Sequence, residues 1–278
     1  RLLWPKALIV SLCAFGFVTA AIAAPVKATP EQIRDAETQL KKAACNLRYE
    51  QIKDPAKPNT PPKIGGVDMI VLHPDMTDAE LVKLAPLMAR FPKLKAIDFA
   101  GNRKITETGM KALAKMSHLE ALYLDNTTVA ESGLAEVLPI TSLNFLDISN
   151  CAVTDRGLQW LTKCEQLVTL IMNNTPSVTT EGIEHLRGVD RLSVLEITVG
   201  QDPAALCKAL ADMPRLNELK ISPVDDDDLG QLAKIRMLTT LRIVGNYFPG
   251  QVRAMPARVV APAVGARPVR RLGANNLT

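Results

Sequence analysis

The sequence predicts an α/β solenoid in which a curved parallel sheet lines the concave side and short helices lie on the convex side. Leucines recur at nearly constant intervals over most of the chain, and within each interval the spacing of apolar residues changes from two to about 3.6. Aromatic residues make up 4% of the chain against 47% for all apolar residues, which suits a core of many thin, similar layers.

The repeat units are 22 to 25 residues long, and an earlier, degenerate copy begins at Val67. The array is therefore predicted to span residues 67–246 and to contribute eight strands, counting a partial last unit. The other units begin at Leu94, Leu119, Leu143, Leu167, Leu192, Leu216 and Leu238.

The clearest unit, residues 143–166, reads LNFLDISNCAVTDRGLQWLTKCEQ. Apolar residues alternate over 146–148, as in a strand, and recur at helical spacing over 158–164. Between these segments, the side-chain oxygen of Thr154 or Asp155 is expected to cap the helix. One unit cannot bury its own apolar face, so neighbouring units must stack, and helices that are wider than strands make the stack curve.

LxxLxL followed by ITDxGLxxL resembles the leucine-rich repeats of the ribonuclease-inhibitor-like class, especially those of exported bacterial proteins built from ITDxGL units. The resemblance covers about residues 67–246 and rests on seven or eight copies. The copy with Asn150, Cys151 and Cys164 also resembles the cysteine-containing subtype of ubiquitin-ligase substrate receptors. The resemblance implies ligand capture by the concave surface, and it brings no shared catalytic residues.

Residues 1–24 have the pattern of a secretory signal peptide: early cations, an apolar run, then small residues with Ala21 and Ala23 before the expected cut. The alternative is an uncleaved membrane anchor over residues 7–24, which is borderline in length. We therefore expect a secreted, periplasmic or cell-envelope protein that touches the membrane only through an uncleaved leader.

Residues 25–50 are predicted to form an N-terminal capping helix, because Thr29 and Gln32 give a capping signal before an apolar face. The helix would cover the core of the first repeat after a Pro-rich connection at residues 51–66. A partner-binding or coiled-coil helix is the alternative.

Residues 247–278 are predicted to be an irregular basic tail, since they hold five arginines and no acid. The tail is either a tether to an acidic surface or wall polymer, or an unstructured end or shifted reading frame. With the cations of the leader and tail set aside, the net charge of +4 becomes about −3, with no basic stripe along the body. This argues against a nucleic-acid partner.

No motif in the sequence points to catalysis, so we predict a non-enzymatic protein with no catalytic residues, no cofactor and no metal. The acids at 225–228 occupy the ITDxGL slots, which favours capping of a helix over calcium binding. An exported protein is free to form disulfides, but Cys164 falls in an apolar slot, which favours a buried free thiol. The cysteines outside the leader are Cys45, Cys151, Cys164 and Cys207.

Residues that alternate with the buried strand residues must face out of the sheet. Those between the two buried residues of each strand are Val71, Asp98, Tyr123, Asp147, Ile171, Glu196, Lys220 and Arg242. Two residues earlier come Met69, Ala96, Ala121, Phe145, Thr169, Val194, Glu218 and Thr240, and two later come His73, Ala100, Asp125, Ser149, Asn173, Thr198, Ser222 and Val244.

Tyr123, Phe145 and Ile171 are thereby predicted to form a diagonal apolar patch across three adjacent strands. Aromatic residues within a polar rim are typical of binding hot spots. The alternative is that these side chains only pack on one another across the strands. The residues predicted to form the polar rim and to complete the partner-binding set are Asp98, Asp125, Asp147, Asn173 and Glu196.

The predicted function is that of a monomeric interaction module that binds a protein or peptide on its concave sheet. One alternative is a structural or envelope-associated repeat protein, attached by its basic tail or an uncleaved leader. A further alternative is a substrate receptor resembling those of ubiquitin ligases, although a secretory leader rather than an F-box-like segment precedes the repeats.

Overall fold

The computed structural model describes residues 28–52, 63–198, 203–222 and 226–243. These residues form one sheet whose strands follow one another in chain order. The strands are β1 (Asn46–Ile52), β2 (Lys63–Val71), β3 (Ala96–Asp98), β4 (Ala121–Tyr123), β5 (Phe145–Asp147), β6 (Thr169–Met172), β7 (Val194–Thr198), β8 (Glu218–Ser222) and β9 (Thr240–Ile243).

A helix precedes β1, and from β2 onward a short helix connects each strand to the next. The helices are α1 (Pro30–Lys42), α2 (Asp78–Met88), α3 (Glu107–Leu113), α4 (Glu131–Val137), α5 (Asp155–Leu161), α6 (Thr180–His185), α7 (Pro203–Ala211) and α8 (Asp226–Leu232). Consecutive helices from α1 to α8 contact one another in series, as expected when each repeat stacks on the one before.

Strands β2 to β9 pair in parallel, and homologous residues of successive repeats stand opposite one another. Leu122, Leu146, Leu170 and Leu195 lie on neighbouring strands in register, and each is 0% exposed. The predicted α/β solenoid is therefore confirmed, together with the predicted strand slots.

The helices contribute the other half of each core layer. In α5, Leu158 and Leu161 are wholly buried, as is Leu134 in α4. Gly157 lets these helices approach closely, because a methyl group there would lie 2.8 Å from a side-chain carbon of Val153 and 3.4 Å from one of Glu131 in the preceding repeat. The glycine of the ITDxGL pattern is thus a packing requirement.

The predicted helix caps need one correction. Thr154 is the N-cap residue of α5, but its side chain does not bond to the first turn of that helix. The carboxylate of Asp155 instead accepts hydrogen bonds from Thr179, the N-cap residue of the next helix. The acid slot links repeats because the next helix brings its unpaired amide within 2.7 Å of the carboxylate.

The N-terminal helix was predicted to extend too far. Thr29 and Gln32 form the expected capping box, but α1 ends at Lys42, and Ala44 takes a positive φ of 56° that turns the chain. Residues 46–50, predicted to be helical, instead belong to β1, which pairs antiparallel with β2. The edge of β2 offers unpaired backbone groups to this segment, and the pairing satisfies them.

The predicted connection at residues 51–66 is consequently wrong at both ends, because residues 51–52 belong to β1 and residues 63–66 to β2. Residues 53–62 lie outside the described residues. Ala36 and Leu40 of α1 are 0% exposed and belong to the common core. Together, α1 and β1 pack against the first repeat.

The predictions of a signal peptide at residues 1–24 and of a basic tail at residues 247–278 fall outside the described part of the chain. Among the helices of the described residues, none is long and apolar enough to cross a membrane.

Candidate partner-binding surface

The outward-facing residues of β2 to β9 form rows that run across the sheet. In-register pairing places Asp98, Tyr123, Asp147, Ile171 and Glu196 side by side in a middle row, on strands about 4.8 Å apart. The row before it contains Phe145, and the row after it contains Asp125 and Asn173. The structure therefore brings all eight predicted partner-binding residues onto β3 to β7 or the turns that follow those strands.

Tyr123 and Phe145 form the centre of this surface. Their ring centroids lie 4.8 Å apart with the ring planes inclined by 41°, a tilted arrangement that aromatic pairs favour. Both side chains are half-buried although they lie on the face of the sheet that points away from the helices. The pair is thus fixed in place by contact between β4 and β5, and part of each ring stays accessible.

Ile171 lies in the same row as Tyr123, but Asp147 stands between them on β5. The three apolar residues consequently form a triangle, with Asp147 on the side between Tyr123 and Ile171, rather than one diagonal line, since Phe145 belongs to the preceding row. Asp147 is part of the patch, whereas the sequence analysis placed it in the rim.

Three carboxylates surround Tyr123. Asp98 and Asp147 are its in-register neighbours on either side, and Asp125 follows two residues later on the same face. Each accepts a hydrogen bond from a nearby donor: Ala100 N to Asp98 Oδ1 at 2.8 Å, Ser149 N to Asp147 Oδ1 at 2.9 Å, and Asn126 Nδ2 to Asp125 Oδ2 at 3.0 Å.

Burial raises the pKa of Asp147 above the usual aspartate value. The hydrogen bonds from Ser149 lower that pKa, and the negative charges of Asp125 and Glu196 raise it further. The net direction is upward, so the ionised form of Asp147 is disfavoured in this surface. An added positive charge beside it would relieve this cost.

On the far side of the patch, the polar residues are already paired. Asn173 Nδ2 donates to Glu196 Oε1 at 2.7 Å, and Lys220 Nζ donates to the same oxygen. Arg242 lies 3.6 Å from Glu218 on the neighbouring strand. The sequence analysis named Glu196 but missed its pairing with Lys220, although their adjacent places in the middle row were a usable signal.

The turns after the strands hold this surface in shape. Gly101, Asn126, Asn150 and Asn174 follow successive strands and all have positive φ, a conformation that glycine and asparagine accept most readily. Asn174 Nδ2 donates to Asn150 Oδ1 at 2.7 Å. A rigid edge of this kind fixes the positions of Asp125 and Asn173, which directly precede two of these residues.

Cys45, Cys151 and Cys164 are buried free thiols, and Cys207 is buried as well. Burial raises the pKa of Cys45 and of Cys164 to about 11, which leaves both thiols protonated and unreactive at neutral pH. Cys151 Sγ donates to the carbonyl oxygen of Leu124 at 3.0 Å and so links two repeats. The buried free thiol predicted for Cys164 is confirmed, and all four described cysteines lie in the core.

Among the described residues, no three His, Cys, Asp or Glu side chains are placed to hold a metal ion. The acidic run at 225–228 is only partly described: Asp225 lies outside the described residues, and α8 begins at Asp226. The predicted capping by this run therefore stays a prediction.

Comparison with known proteins identifies leucine-rich repeats in this chain. A family model for the Leucine Rich repeat matches residues 92–114 and 140–161. A solved structure of an internalin C2 from Listeria monocytogenes str. 4b F2365 is similar with a TM-score of 0.41 and 22% sequence identity, and the match covers 60% of this chain and 65% of that chain. No curated protein matches.

Proposed function

We propose that this chain is a non-enzymatic interaction module that binds a protein or peptide on its concave sheet. The contact surface consists of the partner-binding residues Tyr123, Phe145, Ile171, Asp98, Asp125, Asp147, Asn173 and Glu196. Leucine-rich repeats are commonly protein-interaction modules, which supports the class of function. The observation that carries the proposal is the accessible Tyr123–Phe145 pair, with centroids 4.8 Å apart on an outward sheet face.

Packing between strands accounts for only part of this arrangement. An aromatic pair adds about 0.5–1.5 kcal/mol to stability beyond the area that it buries, so some stabilisation by the two rings is expected in the free protein. Both rings nevertheless stay partly accessible to solvent on this face of the sheet. Tyrosine in particular is enriched among interface hot spots, the few residues whose truncation to alanine costs about 2 kcal/mol or more.

The surroundings of the pair also have the composition of an interface. Apolar groups at the centre contribute binding energy, and polar groups around them fix the orientation of the partner. Here Asp98, Asp125 and Asn173 lie around Tyr123, Phe145 and Ile171. These side chains stand on paired strands and their turns, so little ordering is needed when a partner binds.

We further propose that the protein acts as a monomer outside the cytoplasm. Export is supported by the signal-peptide pattern of residues 1–24. Mass spectrometry of the amino terminus of the mature protein would test it, since cleavage of a signal peptide removes this segment.

The test of binding compares three forms of the chain as bait in a lysate of the producing organism. We expect wild type to retain specific proteins and Tyr123→Ala/Phe145→Ala to lose them. Val82→Ala/Met237→Ala should retain them, because Val82 and Met237 are apolar residues that are 47% and 56% exposed and lie outside the concave rows. Circular dichroism melts of all three forms establish that each is folded.

The outcome that contradicts the proposal is equal capture by wild type and the concave-face variant. If capture were equal, and if retention in the cell envelope depended on residues 247–278, the protein would instead be a structural, envelope-associated repeat protein.

A further inference from the structure

The charges around Tyr123 indicate the chemistry of the partner. We propose that the concave surface binds a protein segment that presents an arginine side chain, with the guanidinium against the Tyr123 ring and between Asp98, Asp125 and Asp147. This inference rests on the proposed function and specifies the ligand of the same surface.

The first support is the distribution of charge over the three outward rows. In their described part, Lys220 and Arg242 are the only Lys or Arg side chains, and each already pairs with a glutamate. Asp98, Asp125 and Asp147 form no ion pair with any described Lys or Arg. Among the described residues of these rows, negative charge is therefore left without a positive partner only around the aromatic pair.

The second support is the position of the aromatic ring among the carboxylates. Asp98 and Asp147 flank Tyr123 in the middle row, and Asp125 follows it on the same strand. A cation placed over the ring would be attracted by the ring face and by three carboxylates at once. The fourth side is the Phe145 ring, against which the aliphatic part of an arginine side chain can pack.

The third support distinguishes arginine from a metal ion. The described carboxylates are not placed to close on one small ion. A guanidinium is larger and planar, carries five N–H donors and stacks on aromatic rings, so it can reach carboxylates on three sides of a tyrosine. The strand spacing puts the backbones that carry Asp98 and Asp147 about 10 Å apart, two strand separations, which suits a broad donor group.

Each carboxylate keeps acceptor capacity for such a ligand. The hydrogen bonds from Ala100, Ser149 and Asn126 do not fill these carboxylates, because a carboxylate accepts about four hydrogen bonds in total. These same bonds hold the side chains in place before the ligand arrives. Burial also raises the pKa of Asp147, and a bound cation would return that pKa toward its usual value.

The test uses the full chain and two fluorescein-labelled peptides. Both consist of glycine, serine and four copies of one further residue, which is arginine in the first peptide and citrulline in the matched peptide. Citrulline keeps the shape of arginine but is neutral. Fluorescence anisotropy should show the arginine peptide binding at least about tenfold more tightly than the citrulline peptide at low salt, with the difference falling at high salt.

The variant Asp98→Asn/Asp125→Asn/Asp147→Asn should bind the arginine peptide at least about tenfold more weakly than wild type. Asparagine keeps an oxygen that accepts the same local hydrogen bonds, so the fold is preserved. The matched control Glu107→Gln/Glu165→Gln/Glu181→Gln removes three exposed charges outside the concave rows and should bind as wild type does.

Equal binding of the arginine and citrulline peptides, or of wild type and the aspartate variant, would overturn the inference. A matched four-lysine peptide that bound as tightly would overturn the assignment to arginine. The arginine peptide could also bind only after the five arginines of residues 247–278 are replaced by glutamine. That result would identify the chain's own tail as the occupant of the surface and would overturn the proposal of a separate partner.

The results that would contradict the proposed function differ from those that would contradict the arginine ligand. If proteins captured by the bait depended on Tyr123 and Phe145 but not on the three aspartates, the interaction module would stand and the arginine ligand would not. If capture depended on neither set, both proposals would fall.

Discussion

The carboxylate of Asp155 joins two repeats by accepting hydrogen bonds from Thr179, at 2.7 Å from its backbone nitrogen and 2.6 Å from its hydroxyl oxygen. Asp78 repeats the relationship with Thr106, at 2.8 Å and 2.6 Å, and also accepts from Gly109 N at 3.1 Å. These carboxylates bind the otherwise unpaired amides at the start of the next helix. Neighbouring repeats are therefore linked by polar contacts on the helical side as well as by the sheet.

Replacing Asp78 with alanine should lower the free energy of unfolding by about 1–3 kcal/mol, because the amides of Thr106 and Gly109 lose their acceptor. Urea unfolding followed by circular dichroism measures the change. Glu165→Ala is the control and should change stability by less than about 0.5 kcal/mol, since the Glu165 side chain is exposed and forms no ion pair with another described residue. Equal effects of the two substitutions would contradict the role of Asp78.

Gly182→Ala should destabilise the protein by about 1–3 kcal/mol, because the added methyl group would lie 3.0 Å from Asp155 Cα and collide with the carboxylate that is bonded to Thr179. Gly230→Ala is the matched control within a helix, since nothing lies within 4 Å of the added carbon. That substitution should stabilise by about 0.4–1 kcal/mol. Thermal melts of the two variants, compared with wild type, should shift in opposite directions.

The register of the sheet could be predicted from the sequence because every repeat contributes the same two buried strand positions. Leu146 and Leu170 occupy the same position in consecutive repeats, so they were expected to lie side by side on neighbouring strands. Strand β1 could not be predicted, because residues 46–50 continue an apolar pattern that also suits a helix. Its pairing with the edge of β2 is a tertiary effect. The hydrogen bonds from Thr179 to Asp155 were missed for a similar reason. The local sequence pattern suggested that Asp155 could cap its own helix, and it does not reveal how closely the next helix approaches.

For the candidate site, strand alternation predicted which residues face outward, and the pairing of the strands confirmed their rows. The patch itself differs from the predicted diagonal, because two-residue alternation offsets Phe145 from Tyr123 and leaves Asp147 between Tyr123 and Ile171. Contacts such as Asn173 with Glu196 depend on side-chain conformation, for which the sequence gives little indication.

Asp147→Asn should raise the melting temperature at pH 7. The pKa of Asp147 is raised in the folded protein, so the folded state binds the proton more tightly than the unfolded state does, and the ionised side chain lowers stability. Asparagine removes that charge and keeps the acceptor for Ser149 N.

The stabilising effect of Asp147→Asn should disappear at a pH below the usual aspartate range, where Asp147 is protonated in both states. Melting curves of wild type and variant at several pH values measure this dependence. A variant that is less stable at pH 7 would show that the charge of Asp147 contributes to folding, contrary to the direction of its pKa.

The thiols of Cys45 and Cys164 should resist alkylation in the folded protein. Both are buried, with pKa values of about 11, so the reactive thiolate is scarce at pH 8. Iodoacetamide treatment with peptide mapping should find these residues unmodified in native protein and fully modified in guanidinium. Rapid modification of Cys164 without denaturant would show that its layer of the core opens easily.

Hydrogen exchange of the chain, alone and with a partner recovered by co-purification, tests the central claim most directly. Binding at the Tyr123–Phe145 pair should slow exchange in peptides that cover β4 to β6 and their following turns, residues 121–126, 145–150 and 169–174. Exchange in the outer helices α3 to α6 should change little. Protection confined to those helices, with none on the strands, would contradict binding on the concave sheet.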